Sequence, residues 1–328
     1  MTEPMLKIEG LKTHFFTEAG IVKAVDGVSF NIRKGESLGL VGESGSGKTV
    51  TALSVLQIVP KPGKIVEGKI EFKGENLLNK TQKEMQSIRG KEIAIIFQDP
   101  SSSLNPVYSI ETQLRDVLLA HESMSKEECH DRIIKLMNLV GIPEPEIRLR
   151  EYAHQFSGGM KQRVAIARAL ALQPTFLFAD EPTTSLDVTI QAQVLDLLDD
   201  LKKKMGMSLV MITHDMGIIA KMSTRVVVMY AGHVSEIAKT EDLYYQPRHP
   251  YTASLLAAVP RLDQKKKLSI IPGNIPNLIE PPSGCRFHPR CKYATKKCVE
   301  VPPVLEEIET EHFVACYEWK NITLREGV

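Results

Sequence analysis

Apolar residues fall along this chain in two rhythms. Residues 36–41, 93–97, 175–179 and 208–213 are nearly uninterrupted apolar runs of strand length, the pattern of strands covered on both faces. Between them lie helical periodicities, over 49–58, 110–121, 126–140, 158–172 and 189–204. Strands alternating with helices predict an α/β fold with a mostly parallel sheet. Two further regions break this rhythm. Residues 6–8 and 22–32 are β-prone, with Gly20 and Gly27 read as breaks, and predict an antiparallel layer leading to the main sheet, while 68–74 alternates like another strand. Residues 225–230 and 233–238 predict a hairpin turning at Ala231-Gly232. The stretch 99–172 opens with a loop by composition and continues as helix only, which predicts a helical insertion between two strands. After a short helix expected over 251–259, residues 260–284 carry five prolines and read as an extended linker.

Composition changes this picture little. The 328 residues suffice for one large core or two domains, and 43% apolar with 25% charged residues is ordinary for a globular protein. A formal net charge of +1 gives no footprint for nucleic acid, and the runs Lys202–Lys204 and 265–267 read as solvated surface. No uncharged run approaches the roughly 18 residues that span a bilayer. The N-terminus, with Glu3 and Lys7, lacks a secretory core, so the chain is expected in the cytosol or on a membrane through partners.

The chemistry starts at Gly42-Glu43-Ser44-Gly45-Ser46-Gly47-Lys48-Thr49, which has the G-x-x-x-x-G-K-[ST] form and sits between an expected strand and an expected helix. Its glycines let backbone N–H groups turn around a phosphate, and the helix start adds partial positive charge. In this motif Lys48 reaches the β- and γ-phosphates and the Thr49 hydroxyl binds Mg²⁺. Gln98, Asp180, Glu181 and His214 each fall at the end of an expected strand, where ligands bind in such sheets. Together they suggest water attack on a nucleotide. Asp180 would hold Mg²⁺, Glu181 would deprotonate the water, His214 would contact the γ-phosphate, and Gln98 would reach metal and water. Phe16, upstream of the loop, would stack on an adenine ring or pack in the core. Ser157-Gly158-Gly159 is a second glycine-bearing helix start, with Ser157 as cap. Since the first loop already serves the chain's own nucleotide, this second anion site fits one bound to another subunit.

These motifs, with Ser185-Leu186-Asp187, stand in the order and spacing of the ATP-binding subunit of ABC transporters, which the chain resembles over roughly residues 5–255. The resemblance implies two ATP-binding subunits closing head to tail around two ATP molecules. Ser157, Gly158 and Gly159 of one would then face the γ-phosphate held by the other, and Asp187 would lie in a segment crossing the interface. Phe156 and Met160 stand where the family usually has Leu and Gln, which leaves the backbone N–H groups but not a side-chain contact from position 160. Gln98-Asp99-Pro100, Ser103-Leu104-Asn105-Pro106, Arg248-His249-Pro250-Tyr251-Thr252 and the segment from Pro282 to Cys291 are similar to the oligopeptide/dipeptide importer branch. That implies peptide as substrate and two transmembrane permease subunits. It implies an extracytoplasmic peptide-binding protein, a second ATP-binding subunit (a paralogue or a copy of itself), and a peripheral place on the cytoplasmic face of the membrane. Nickel and other small-solute importers share the branch and stay open as alternatives, as does a soluble non-transport ABC ATPase or a phosphoryl-transfer enzyme.

Four of the five cysteines, Cys285, Cys291, Cys298 and Cys316, close the sequence. Clustered thiols in a reducing compartment point to metal before disulfides. No tight C-x2–4-C pair is present, which favours a [4Fe–4S] cluster over zinc, with zinc as the alternative. Cys129 reads as a plain buried thiol. The expected organisation is an ATP-binding α/β core of residues 1–98 and 173–245, a helical subdomain of 99–172, and a metal-binding C-terminal extension of 246–328.

Overall fold

A computed structural model describes residues 3–259 and 271–320. The lysine run at 265–267 and the first part of the expected linker, up to residue 270, lie outside the described residues. The strands in chain order are β1 (Pro4–Thr17), β2 (Gly20–Arg33), β3 (Ser37–Val41), β4 (Gly63–Phe72), β5 (Glu75–Asn76), β6 (Ile93–Ile96), β7 (Phe176–Asp180), β8 (Ser208–Thr213), β9 (Arg225–Tyr230), β10 (His233–Lys239), β11 (Glu306–Glu309) and β12 (His312–Val314). The chain forms two compact units, Met1–Asn79 with Met211–Val328, and Lys80–Val210.

In the first unit, β2-β1-β4-β5 form a four-stranded sheet in which β1 pairs antiparallel with both β2 and β4. This is the expected antiparallel layer, with one difference. Gly27 does not break β2. Leu11 faces Val28 and Lys12 faces Asp26, so Gly27, at φ +88°, is skipped as a bulge inside a 14-residue strand. β11-β12-β10-β9-β3 run side by side in this unit. All residues of β3 and β9 are buried and the two pair in parallel, as their apolar runs require. β9 and β10 form the expected hairpin, with Ala231 (φ +49°) and Gly232 (φ +83°) both left-handed, the geometry of a two-residue type I′ turn. The tail joins this sheet through β12, whose Val314 and Phe313 lie opposite Glu236 and Ile237 of β10.

In the second unit, β6 and β7 pair in parallel, and all five residues of β7 are buried. The expected helices are present as Ile110–Leu119, Lys126–Leu139, Gly158–Leu170 and Val188–Met205. Each starts at a side-chain cap, namely Ser109, Ser125, Ser157 and Asp187. Gly206, at φ +64°, ends the last of them. Cys129 is buried in the second, as expected.

Candidate ATP site

β3 delivers the chain into the phosphate loop, and the helix Lys48–Val55 leads it out. Glycine is compulsory at two points. A Cβ on Gly42 would meet the Met229 carbonyl oxygen of β9 at 2.1 Å. One on Gly47, at φ +102°, would meet the Ala24 carbonyl oxygen of β2 at 2.4 Å. The loop is thus wedged between two backbones, while Ser44, Gly45 and Thr49 face outward. The Lys48 side chain turns back into the loop, its Nζ donating to the Gly42 carbonyl at 2.7 Å and the Glu43 carbonyl at 3.0 Å. A buried ammonium inside a ring of backbone groups, at a helix start with no acidic residue in its first turn, is a site for an anion.

His214 lies in the same unit, exposed just after β8, where Asp215 caps the helix Met216–Met222. Phe16 is 43% exposed near the end of β1, so it is not a core residue, and the Lys64 ammonium stands 5.6 Å from its ring centre.

The second unit brings Gln98 and Glu181 together. Gln98 Nε2 donates to Glu181 Oε2 at 2.9 Å, and Thr184 Oγ1 donates to the same oxygen at 2.9 Å. Glu181 is held at φ +44°, a left-handed conformation that a non-glycine residue adopts only when its surroundings impose it. Asp180, one residue earlier at the end of β7, is buried. Ser157 caps the helix Gly158–Leu170 through Met160 N at 3.3 Å, and Ser157 and Gly158 are exposed. Phe156, one of the two departures from the family pattern, is buried and so fills an apolar position as leucine would. Asp187 Oδ1 accepts from Ile190 N at 3.0 Å, which gives it a capping role within its own chain. The Val188 side chain beside it is exposed by 84%.

Residues with no role in the sequence reading also reach the phosphate loop. Arg290 Nη1 donates to Glu43 Oε2 at 2.7 Å and Nη2 to Oε1 at 3.1 Å. The Tyr251 hydroxyl accepts from Glu43 N at 2.8 Å. Both belong to segments quoted for the importer branch, but nothing in a pattern couples positions 43 and 290.

Cys285, Cys291, Cys298 and Cys316 line one cavity of about 10 Å³ with His249 and Phe287. All are free thiols. Burial, reinforced by the neighbouring cysteines, pushes Cys316 up to about 12 and Cys285 up to about 11. His288 lines the same cavity, its Nδ1 lying 2.9 Å from the Cys285 carbonyl oxygen. The expected metal centre is met only as far as this shared cavity. Among the described residues no group of three or more His, Cys, Asp or Glu is arranged to hold a metal ion.

Residues 25–184 match the family model of the ABC transporter, and residues 235–298 match that of the oligopeptide/dipeptide transporter C-terminal region. The chain is 48% identical to the oligopeptide transport ATP-binding protein OppD of Bacillus subtilis over 313 residues, 94% of this chain and 87% of that protein. It is 43% identical to the dipeptide transport ATP-binding protein DppD of Escherichia coli over 314 residues, 95% of this chain and 96% of that one. Among solved structures, a post-hydrolysis dimer of the ATP-binding cassette MJ0796 bound to ADP and Pi is similar, with a TM-score of 0.65 at 27% identity. It covers 72% of this chain and 99% of that chain. The chain belongs to the ATP-binding proteins of the ABC transporter family, in the oligopeptide/dipeptide branch.

Proposed function

We propose that this chain hydrolyses ATP to energise import of di- and oligopeptides. The observation that carries the reading is similarity to OppD and DppD over nearly the whole chain, C-terminal region included. The residue geometry supports the ATPase half. In this reading Lys48 holds the β- and γ-phosphates, and the loop N–H groups of residues 42–49 cradle them. Glu181 takes the proton of the attacking water, its carboxylate aimed by Gln98 and Thr184. His214 contacts the γ-phosphate, and Phe16, already exposed, stacks on adenine. Thr49, Asp180 and Gln98 would hold Mg²⁺, which neutralises charge on the β- and γ-phosphates when bound.

Ser157, Gly158, Gly159 and Asp187 serve the nucleotide of a second ATP-binding subunit, a paralogue or a second copy. The exposed Val188 beside Asp187 suits burial in such a contact. The organisation is that of a core (1–98 and 173–245), a helical subdomain (99–172) and a C-terminal extension (246–328). Among the described residues no helix is long and apolar enough to cross a membrane. Two permease subunits would therefore supply the path, with this chain on the cytoplasmic face and a peptide-binding protein on the other side.

The four cysteines hold a [4Fe–4S] cluster in this reading. They are free thiols around one cavity, and their spacing lacks the tight pair usual in structural zinc sites. A cavity of about 10 Å³ holds one water at most, so the thiols must part to admit a cluster. Anaerobically purified protein should carry iron and acid-labile sulfide, and zinc near one per chain without sulfide would sink the assignment.

The import reading is tested by uptake of labelled di- and oligopeptides, and separately of nickel, in cells carrying the wild-type chain or Glu181→Gln. Peptide uptake lost in the variant supports it. Loss of nickel uptake alone would keep the mechanism and replace the substrate.

A further inference from the structure

Glu43 is a node. Its carbonyl oxygen accepts from Lys48 Nζ at 3.0 Å, its N–H donates to the Tyr251 hydroxyl, and its carboxylate takes both terminal nitrogens of Arg290. The Arg290 fork is itself fixed from behind. Its Nε donates to the Pro272 carbonyl at 2.8 Å and its Nη1 to the Tyr230 hydroxyl at 3.3 Å, and its side chain is only 5% exposed. Tyr251 is fully buried, with its ring 4.6 Å from that of Tyr230 and 5.4 Å from that of Phe287. The segment that carries Arg290 is anchored at two further places beside the loop. Arg286 bonds Asp26 of β2 and the Ala231 carbonyl of the hairpin turn, and Lys23 N donates to the Leu278 carbonyl at 3.0 Å.

We propose that Arg290 and Tyr251 are positioning residues for ATP binding, holding Glu43 and through it the Lys48 ammonium in the conformation that receives phosphate. Neither touches the nucleotide. A two-point guanidinium–carboxylate pair with little solvent access fixes direction as well as distance, which a single surface ion pair does not. The C-terminal region thereby sets the affinity of a loop more than two hundred residues away. The inference rests on reading residues 42–49 as the ATP site.

The test is equilibrium titration of the full-length chain with Mg²⁺ and a non-hydrolysable ATP analogue, alongside ATP turnover at saturating nucleotide. Arg290→Ala should weaken analogue binding about tenfold while saturated turnover stays within about twofold, the signature of lost binding geometry. Arg290→Lys keeps the charge without the fork and should fall between. Tyr251→Phe removes one hydroxyl and no packing. It should weaken binding by about threefold while lowering the melting temperature by no more than a few degrees, so the inference stays testable if Arg290→Ala folds poorly. Glu43→Gln combined with Arg290→Ala should bind no worse than Arg290→Ala alone, because the two act through one contact. Unaltered affinity in Tyr251→Phe and Arg290→Lys, or additive losses in the double variant, overturns the inference alone. A wild-type chain that binds no analogue overturns the ATP reading beneath it.

Discussion

The phosphate loop and the Ser157 loop both place glycines at a helix start, yet at Gly158 of the second the chain itself does not require one. Gly42 and Gly47 sit against carbonyl oxygens of β9 and β2 with no room for a side chain. At Gly158 an added Cβ would meet only Leu186 Cδ2, at an ordinary 3.6 Å, whereas at Gly159 it would meet Ile190 Cγ2 at 2.7 Å. One loop owes its glycines to its own chain. The other needs Gly159 to clear Ile190, but at its exposed Gly158 the chain itself leaves room for a side chain.

Substitutions can break or sharpen that contrast. Gly47→Ala should have the largest effect. It forces a left-handed backbone and a 2.4 Å contact onto a side-chain-bearing residue, so nucleotide binding should disappear in titration. Retained binding would mean the loop can relax around the methyl group. Gly158→Ala should separate folding from function. Alanine favours helix over glycine by up to about 1 kcal/mol, so melting temperature should hold or rise, while ATP turnover in the assembled transporter falls at least about tenfold. Normal turnover would leave the bare surface unexplained.

The smallest effect concerns the C-terminal anchor. His249 caps the helix Pro250–Ala257 by accepting from Tyr251 N at 3.0 Å, and burial lowers its pKa to about 4, against the raising influence of Glu236. The unfolded chain binds the proton more readily, so this contribution is full above pH 6.5 and is lost as pH falls towards 4. By pH 5 the loss should be on the order of 2 kcal/mol. His249→Asn supplies a cap that does not titrate there, and its melting temperature should fall less between pH 7.5 and 5. Parallel curves would remove His249 from the account.

The parts legible in sequence were those with a local signature. β3, β6, β7 and β8 announce themselves as apolar runs, and the phosphate loop by glycine spacing between strand and helix. Strand ends at Gln98 and Asp180 could be read, but not that Gln98 would hold the Glu181 carboxylate, because that contact depends on how β6 and β7 pair. β11 and β12 were invisible. They have four and three residues, the first with three glutamates, and β12 pairs with β10 across some eighty positions of chain. The link from Arg290 to Glu43 is of the same kind, created by the fold at a separation of 247 residues.

The measurement that bears most directly on the central claim is ATP turnover by the full-length chain carrying Glu181→Gln, with nucleotide binding followed in the same preparation. The account predicts turnover reduced by roughly 10²–10⁴, the range for loss of a positioned base, with ATP still bound. Near-normal turnover would contradict it, since Gln98 and Thr184 would then be aiming a carboxylate that hydrolysis does not use.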